Sequence, residues 1–316
     1  MSNKLRIVFM GTPEFAVETL KAIVENNYNV VGVITAPDRP AGRGRKLKAS
    51  AVKEYATTKG LKVLQPNNLK DESFLEDLKS LEANLQIVVA FRMLPKVVWD
   101  MPKYGTFNLH ASLLPEYRGA APINWAIING ESKTGITTFF IDDKIDTGKI
   151  ILQEKVEIRN DDNAGLLHDK LMHSGAKLVL KTINQIEEDN VSLIEQPFKG
   201  NFKTAYKLNK DNTKIDWNAD TQTTVNLIRG LSPYPTAWSF FKNNDEEHTI
   251  KIYEAKFIEE THHHETGKVK VEGSDILVAV KGGYINIKKI QLPGKKAMDS
   301  TSLLNGYTIF KDAKVY

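Results

Sequence analysis

The chain has 316 residues, 41% hydrophobic and 26% charged, with a net charge of +4. That profile fits a soluble globular protein with room for one large domain or two ordinary ones. It contains no cysteine, which excludes disulfides and thiolate metal sites and points to a reducing, cytoplasmic compartment. No apolar run approaches a membrane span, and the opening Met1-Ser2-Asn3-Lys4-Leu5-Arg6 leads straight into an alternating strand rather than a signal peptide.

In chain order, the pattern predicts a strand at 5–10, a helix at 13–26, a strand at 30–35, a helix at 50–59 and a short strand at 63–64. A helix at 73–81, an apolar strand at 85–90, one helical turn at 96–101 and a strand at 105–110 follow. Such alternation argues for an α/β fold: a mostly parallel, Rossmann-like sheet whose ligands bind beyond the carboxyl ends of its strands. Thr12 is placed to cap the first helix, with Pro13 at its first position. Gly11 stands alone there, however, without the three glycines of a dinucleotide fingerprint. The apolar spacing from Leu166 to Ile186 predicts one long helix over 161–188, capped by Asp161 or Asp162.

Residues 196–215 mix Pro, Gly, Asn and Lys without period, as a linker does. Beyond one helix at 223–229, five β-prone runs at 237–242, 249–258, 267–272, 276–280 and 284–292 predict a small OB-like β-barrel. The expected division is therefore a domain over 1–195, a linker over 196–213 and a barrel over 214–316.

Two motifs carry chemistry. In the strand 105–110, Asn108 and His110 share a face while Leu109 points into the opposite layer. About thirty residues on, Ile141-Asp142-Asp143-Lys144-Ile145-Asp146-Thr147-Gly148 adds carboxylates in a turn-forming run. An amide, an imidazole and a carboxylate together can stabilise an oxyanion and move a proton. Between Asp38 and Lys53, six cations face one acid, a local balance of +5 that exceeds the +4 of the whole chain and fits a phosphate-bearing partner. His262-His263-His264 reads as a surface loop, because adjacent side chains do not converge on one ion and no carboxylate stands at ligand spacing.

Several runs resemble the methionyl-tRNA formyltransferase family: Phe9-Met10-Gly11-Thr12-Pro13-Glu14-Phe15-Ala16, Pro37 to Lys46, Asn108 to Pro115, Tyr117 to Ile123 and Asp146-Thr147-Gly148. The likeness continues at Lys214-Ile215-Asp216-Trp217 and from Ile228 to Trp238, and so spans both expected domains. It implies a formyltransferase domain using 10-formyltetrahydrofolate as formyl donor, and a barrel that binds tRNA. By the same likeness, the catalytic residues are Asn108, His110 and Asp146, and Ser112, Leu113, Leu114 and Pro115 form a folate-contacting loop. Phe91, Met93, Leu94 and Asp143 border the pterin pocket. Arg43, Arg45, Lys46, Lys207 and Lys210 bind methionyl initiator tRNA. The resemblance further implies no metal, no membrane partner and a monomer at work in translation initiation. Phe91-Arg92-Met93 departs from the family's usual tyrosine, glycine and aliphatic residue, as Lys48-Ala49-Ser50-Ala51 departs from its prolines. The alternative is a sugar-nucleotide N-formyltransferase of the same fold, which has no need of the basic segment.

Overall fold

The computed structural model describes residues 5–41, 46–197 and 199–316. By internal contacts the chain forms two units: residues 1–119, 134–157 and 168–204 make the first, and 120–133, 158–167 and 205–316 the second.

The first unit is built on a seven-stranded sheet. An interior strand, Ile7–Gly11, is buried along its whole length and pairs in parallel with Val30–Ile34 on one side and Leu85–Val89 on the other. A strand buried on both faces needs the continuous apolar run that Ile7-Val8-Phe9-Met10 provides. Thr106–His110 continues the parallel set beside Leu85–Val89. Lys133–Phe140 then pairs antiparallel with it, and Ile150–Glu157 forms the edge. These last two strands were not legible in the sequence pattern.

The two faces of Thr106–His110 differ as alternation requires. Leu109 packs on the helix Ala164–Glu187 so closely that a Cβ at Gly175 would lie 2.7 Å from its Cδ2. Asn108 and His110 take the other face, half-buried and buried respectively.

Both expected caps shift. The first helix is Glu14–Glu25 with Pro13 at the N-cap and no capping side chain. The long helix begins at Ala164, where Asn163 Oδ1 accepts from the Leu166 N–H. Asp162 instead turns its carboxylate back to the Arg159 N–H, which removes it as the cap. The basic segment's flanks, Arg39–Ala41 and Lys46–Lys48, form a two-stranded antiparallel hairpin. Its base is tied by Lys53 Nζ to Asp38 Oδ2 at 2.6 Å and by Gln65 Nε2 to Asp38 Oδ1 at 2.8 Å. The bond from Lys53 foremost, then that from Gln65, holds the Asp38 carboxyl below the usual carboxylate range.

In the second unit, Ala237–Asn243, Glu246–Glu259, Val269–Glu272, Asp275–Val280 and Gly283–Gln291 form an antiparallel sheet around a core that includes Trp217, Ile252, Val278 and Ile285. The chain's end closes it. Tyr316 N–H donates to Phe240 O on one side, while Val315 N–H donates to Gly267 O on the other. Closure removes the exposed edges that an open sheet of this size would present.

Two segments expected with the first domain belong to this unit, for identifiable reasons. The helix Pro122–Ile128 packs on Thr221–Gly230, where Asn124 Nδ2 donates to Gly230 O and a Cβ on Gly230 would lie 2.6 Å from Ile128. Arg229 Nη1 donates to Asp162 O at 3.0 Å, drawing in 158–167. Part of the expected linker, meanwhile, lies in the first unit, where Gln196 is buried.

Candidate active site

The structure brings Asn108, His110 and Asp146 together within the first unit. His110 is 6% exposed. Its Nε2 lies 2.8 Å from Tyr117 O and its Nδ1 lies 3.7 Å from Asp146 Oδ2. A carbonyl oxygen only accepts, so Nε2 carries the hydrogen and Nδ1 is the ring atom left to exchange a proton. The Asn108 amide is half-buried and, among the described residues, nothing hydrogen-bonds its side chain. A half-buried amide without a protein partner is a ready donor for a ligand oxygen.

The groups that hold His110 sit on left-handed backbone: Tyr117 has φ 59° and Asp146 φ 55°. For residues other than glycine, such conformations cost on the order of 1–3 kcal/mol and persist where their surroundings over-determine them. Those surroundings are visible. Asp146 Oδ2 accepts from the Gly119 N–H at 2.9 Å. The neighbouring Thr147 hydroxyl donates to the Asp142 carboxylate, which also accepts from the Lys144 N–H. Gly148 is pressed so closely on the preceding strand that a Cβ would lie 1.7 Å from Phe140 O.

Gln196, which no sequence motif marks, completes the frame. Only 3% exposed, it accepts from Arg118 Nη2 at 2.6 Å and Nε at 3.1 Å. Its Nε2 donates to Gly148 O at 2.7 Å and Asp146 O at 3.1 Å. One buried amide thus joins the loop after Tyr117 to the loop bearing Asp146. Gln153, exposed overall, ties a second pair of segments: its Nε2 donates to Leu114 O, and to the Thr137 hydroxyl that itself bonds Ser112 O. Both are glutamines outside any motif, recognisable only once the chain is folded.

The expected folate-contacting loop is therefore held mainly through its backbone. Ser112 is buried and gives its hydroxyl to Glu116 O, and Leu114 is buried with its N–H on Thr137. Leu113 and Pro115 are half-buried, and Leu113 packs on Gly135, where a Cβ would lie 2.4 Å from it. Phe91 packs against an apolar cluster that contains Leu94 and that Ile141 also borders. Met93 is 69% exposed and Asp143 is exposed. Arg92, at the unusual position, donates to Pro66 O and Asn67 O. Burial beneath these carbonyls, then the nearby Arg39, lowers its pKa from the ordinary arginine value.

Of the expected phosphate-binding residues, Arg43 and Arg45 lie outside the described residues, and only the backbone of Lys46 is described, in the hairpin. Lys207 and Lys210 line a concavity of about 480 Å³ within the second unit. The histidine triplet forms no metal cluster among the described residues. His263 and His264 are exposed, but His262 is half-buried, with Nε2 donating to Val280 O and Gly283 O and its ring 4.6 Å from that of Tyr284. No described helix is long and apolar enough to cross a membrane.

Residues 5–183 match the formyl transferase family model, and 207–308 match the formyl transferase C-terminal domain model. A methionyl-tRNA formyltransferase from Flavobacterium johnsoniae is 63% identical over 99% of the chain and 100% of its own length. The protein of that name from Flavobacterium psychrophilum is 60% identical over 99% of each. Among solved structures, an N-formyltransferase from Helicobacter canadensis in complex with folinic acid and dTDP-3-aminofucose superposes with a TM-score of 0.64. It is 22% identical and covers 90% of this chain and 98% of its own. At that identity the likeness is one of fold.

Proposed function

The chain belongs to the methionyl-tRNA formyltransferase family, and we propose that Asn108, His110 and Asp146 transfer the formyl group of 10-formyltetrahydrofolate to the α-amino group of methionyl initiator tRNA. The observation that carries this reading is the half-buried Asn108 amide, without a hydrogen-bond partner among the described residues, beside an imidazole whose Nε2 is fixed by Tyr117 and whose Nδ1 faces Asp146.

The folate supplies the formyl carbon when bound. Residues suited to hold it are present: the apolar cluster that contains Leu94 and is bordered by Phe91 and Ile141, and the half-buried Leu113 and Pro115. Asn108 Nδ2 donates to the formyl oxygen as negative charge gathers there. A preorganised donor of this kind is typically worth about 10²- to 10³-fold in kcat. His110 Nδ1 takes a proton from the attacking amine, Asp146 stabilises the resulting imidazolium, and the same proton passes to the departing nitrogen. Free α-amino groups titrate near about 7.7, so a useful neutral fraction exists at cytoplasmic pH without a strong base. Tyr117 O keeps Nε2 engaged throughout, which leaves Nδ1 as the ring atom for this proton relay.

Nothing in this scheme calls for a metal. Arg43, Arg45 and Lys46 of the basic segment, and Lys207 and Lys210 of the second unit, contact tRNA phosphates. The enzyme works in the cytoplasm as a monomer. The test supplies 10-formyltetrahydrofolate with methionyl initiator tRNA and, in parallel, with an amino-sugar nucleotide. Formylmethionine released by ester hydrolysis is the expected product. Formylation of the sugar nucleotide alone would replace this reading with its alternative.

A further inference from the structure

The run from Arg229 to Trp238 contains one residue without a structural task. Arg229 is committed to Asp162 O, Gly230 to the close approach of Ile128, and Ser232 O to the Gly165 N–H. The Thr236 hydroxyl donates to Pro233 O, and Trp238 Nε1 to Lys210 O. Tyr234 alone stands out: its ring is 82% exposed, and among the described residues nothing hydrogen-bonds its hydroxyl. Exposing an aromatic ring on a loop with proline on both sides forgoes burial while keeping the ring's backbone stiff.

Tyr234 lines the concavity of about 480 Å³ together with Lys207, Lys210, Lys251 and Trp238. That volume lies within the range of about 300–1,000 Å³ for small-ligand pockets. Three ammonium groups and no carboxylate are found among its described lining residues, which selects for an anion. Lys210 is further positioned by the Trp238 face, its Nζ 5.3 Å from the ring centroid. An open aromatic face beside several cations is the combination that binds single-stranded nucleic acid, with bases stacking and lysines following phosphates. A duplex offers no open base face to such a ring.

Building on the tRNA reading above, we propose that this concavity takes one unpaired nucleotide of the tRNA acceptor end, its base stacked on Tyr234 and its phosphates on Lys207, Lys210 and Lys251. Tyr234 is then a substrate-binding residue of the second unit that contributes to affinity and takes no part in the chemistry.

The experiment measures formylation of methionyl-tRNA against tRNA concentration at several salt concentrations for wild type, Tyr234→Ala, Tyr234→Phe and Lys251→Ala. Loss of one base stack raises KM about fivefold to a hundredfold. In Tyr234→Ala this occurs with saturating kcat, melting temperature and salt slope as in wild type, while Tyr234→Phe keeps the wild-type KM. Lys251→Ala instead makes the log-log salt slope shallower by about 0.7–0.9. Direct binding is read in parallel with deacylated tRNA, intact or trimmed of its unpaired 3′ nucleotides. Tyr234→Ala weakens only the intact form. A Tyr234→Ala KM within twofold of wild type, or an equal loss on trimmed tRNA, overturns the proposal. If wild type itself fails to formylate methionyl-tRNA, the functional reading falls and this one with it. If wild type formylates and Tyr234→Ala matches it, this one falls alone.

Discussion

Replacing Gln196 by glutamate separates the two halves of its role. The change is nearly isosteric. It keeps both bonds from Arg118, now charge-assisted, but removes the N–H donors that reach Gly148 O at 2.7 Å and Asp146 O at 3.1 Å. Each buried hydrogen bond of this kind contributes a net of about 0.5–1.5 kcal/mol, so the pair amounts to about 1–3 kcal/mol. The left-handed conformation of Asp146 costs a similar amount, on the order of 1–3 kcal/mol. Without the two donors, the loop can relax and carry its carboxylate away from His110 Nδ1. A misplacement of about 1 Å at a reacting group can cost about 10²-fold in rate. The expected result for Gln196→Glu is a kcat lower by about 10- to 100-fold, with KM for both substrates changed by less than about threefold. Gln196→Met, which loses the Arg118 bonds as well, should match that kcat loss and melt at lower temperature. The assay is steady-state formyl transfer beside a thermal melt. A Gln196→Glu enzyme with wild-type kcat would show that the amide is packing alone.

Other expectations follow from single contacts. Arg43→Ala should raise the KM for methionyl-tRNA and make its log-log salt slope shallower by about 0.7–0.9, with folate affinity unchanged; an unaltered slope would return the basic segment to plain solvated surface. Gly148→Ala should lower stability and kcat together, because its Cβ would lie 1.7 Å from the backbone oxygen of Phe140 and neither side has a flexible end to yield. Calorimetry on the histidines should separate them: His262→Ala loses two carbonyl contacts and a ring contact, costing about 1–3 kcal/mol, whereas the exposed pair His263→Ala/His264→Ala should stay within about 0.5 kcal/mol of wild type. Stoichiometric zinc retained by wild type and lost in these variants would contradict the non-metal reading.

The parts of this protein legible in its sequence are those written as local periodicity. The five parallel strands of the first sheet and the five main strands of the barrel show as apolar runs between turn residues, and Asn108 and His110 lie at a strand's carboxyl end by counting alone. Lys133–Phe140 and Ile150–Glu157 escaped because Thr-rich and alternating charged runs lack that signal and depend on their neighbours. The division into units was hidden for a different reason. Pro122–Ile128 and 158–167 join the second unit through Asn124, Gly230, Arg229 and Asp162, pairs about 70 to 100 residues apart that no window spans. Gln153 and Gln196 were invisible likewise, since an amide's role is set by what it meets.

The central claim is that the Asn108 amide stabilises the charge that develops on the transferred formyl oxygen. The direct measurement is single-turnover formyl transfer to methionyl-tRNA, with saturating 10-formyltetrahydrofolate, for wild type and Asn108→Ala. A rate lower by about 10²- to 10³-fold, with tRNA and folate affinities and melting temperature unchanged, is what this account requires. A well-folded Asn108→Ala enzyme that transfers the formyl group at the wild-type rate would contradict it.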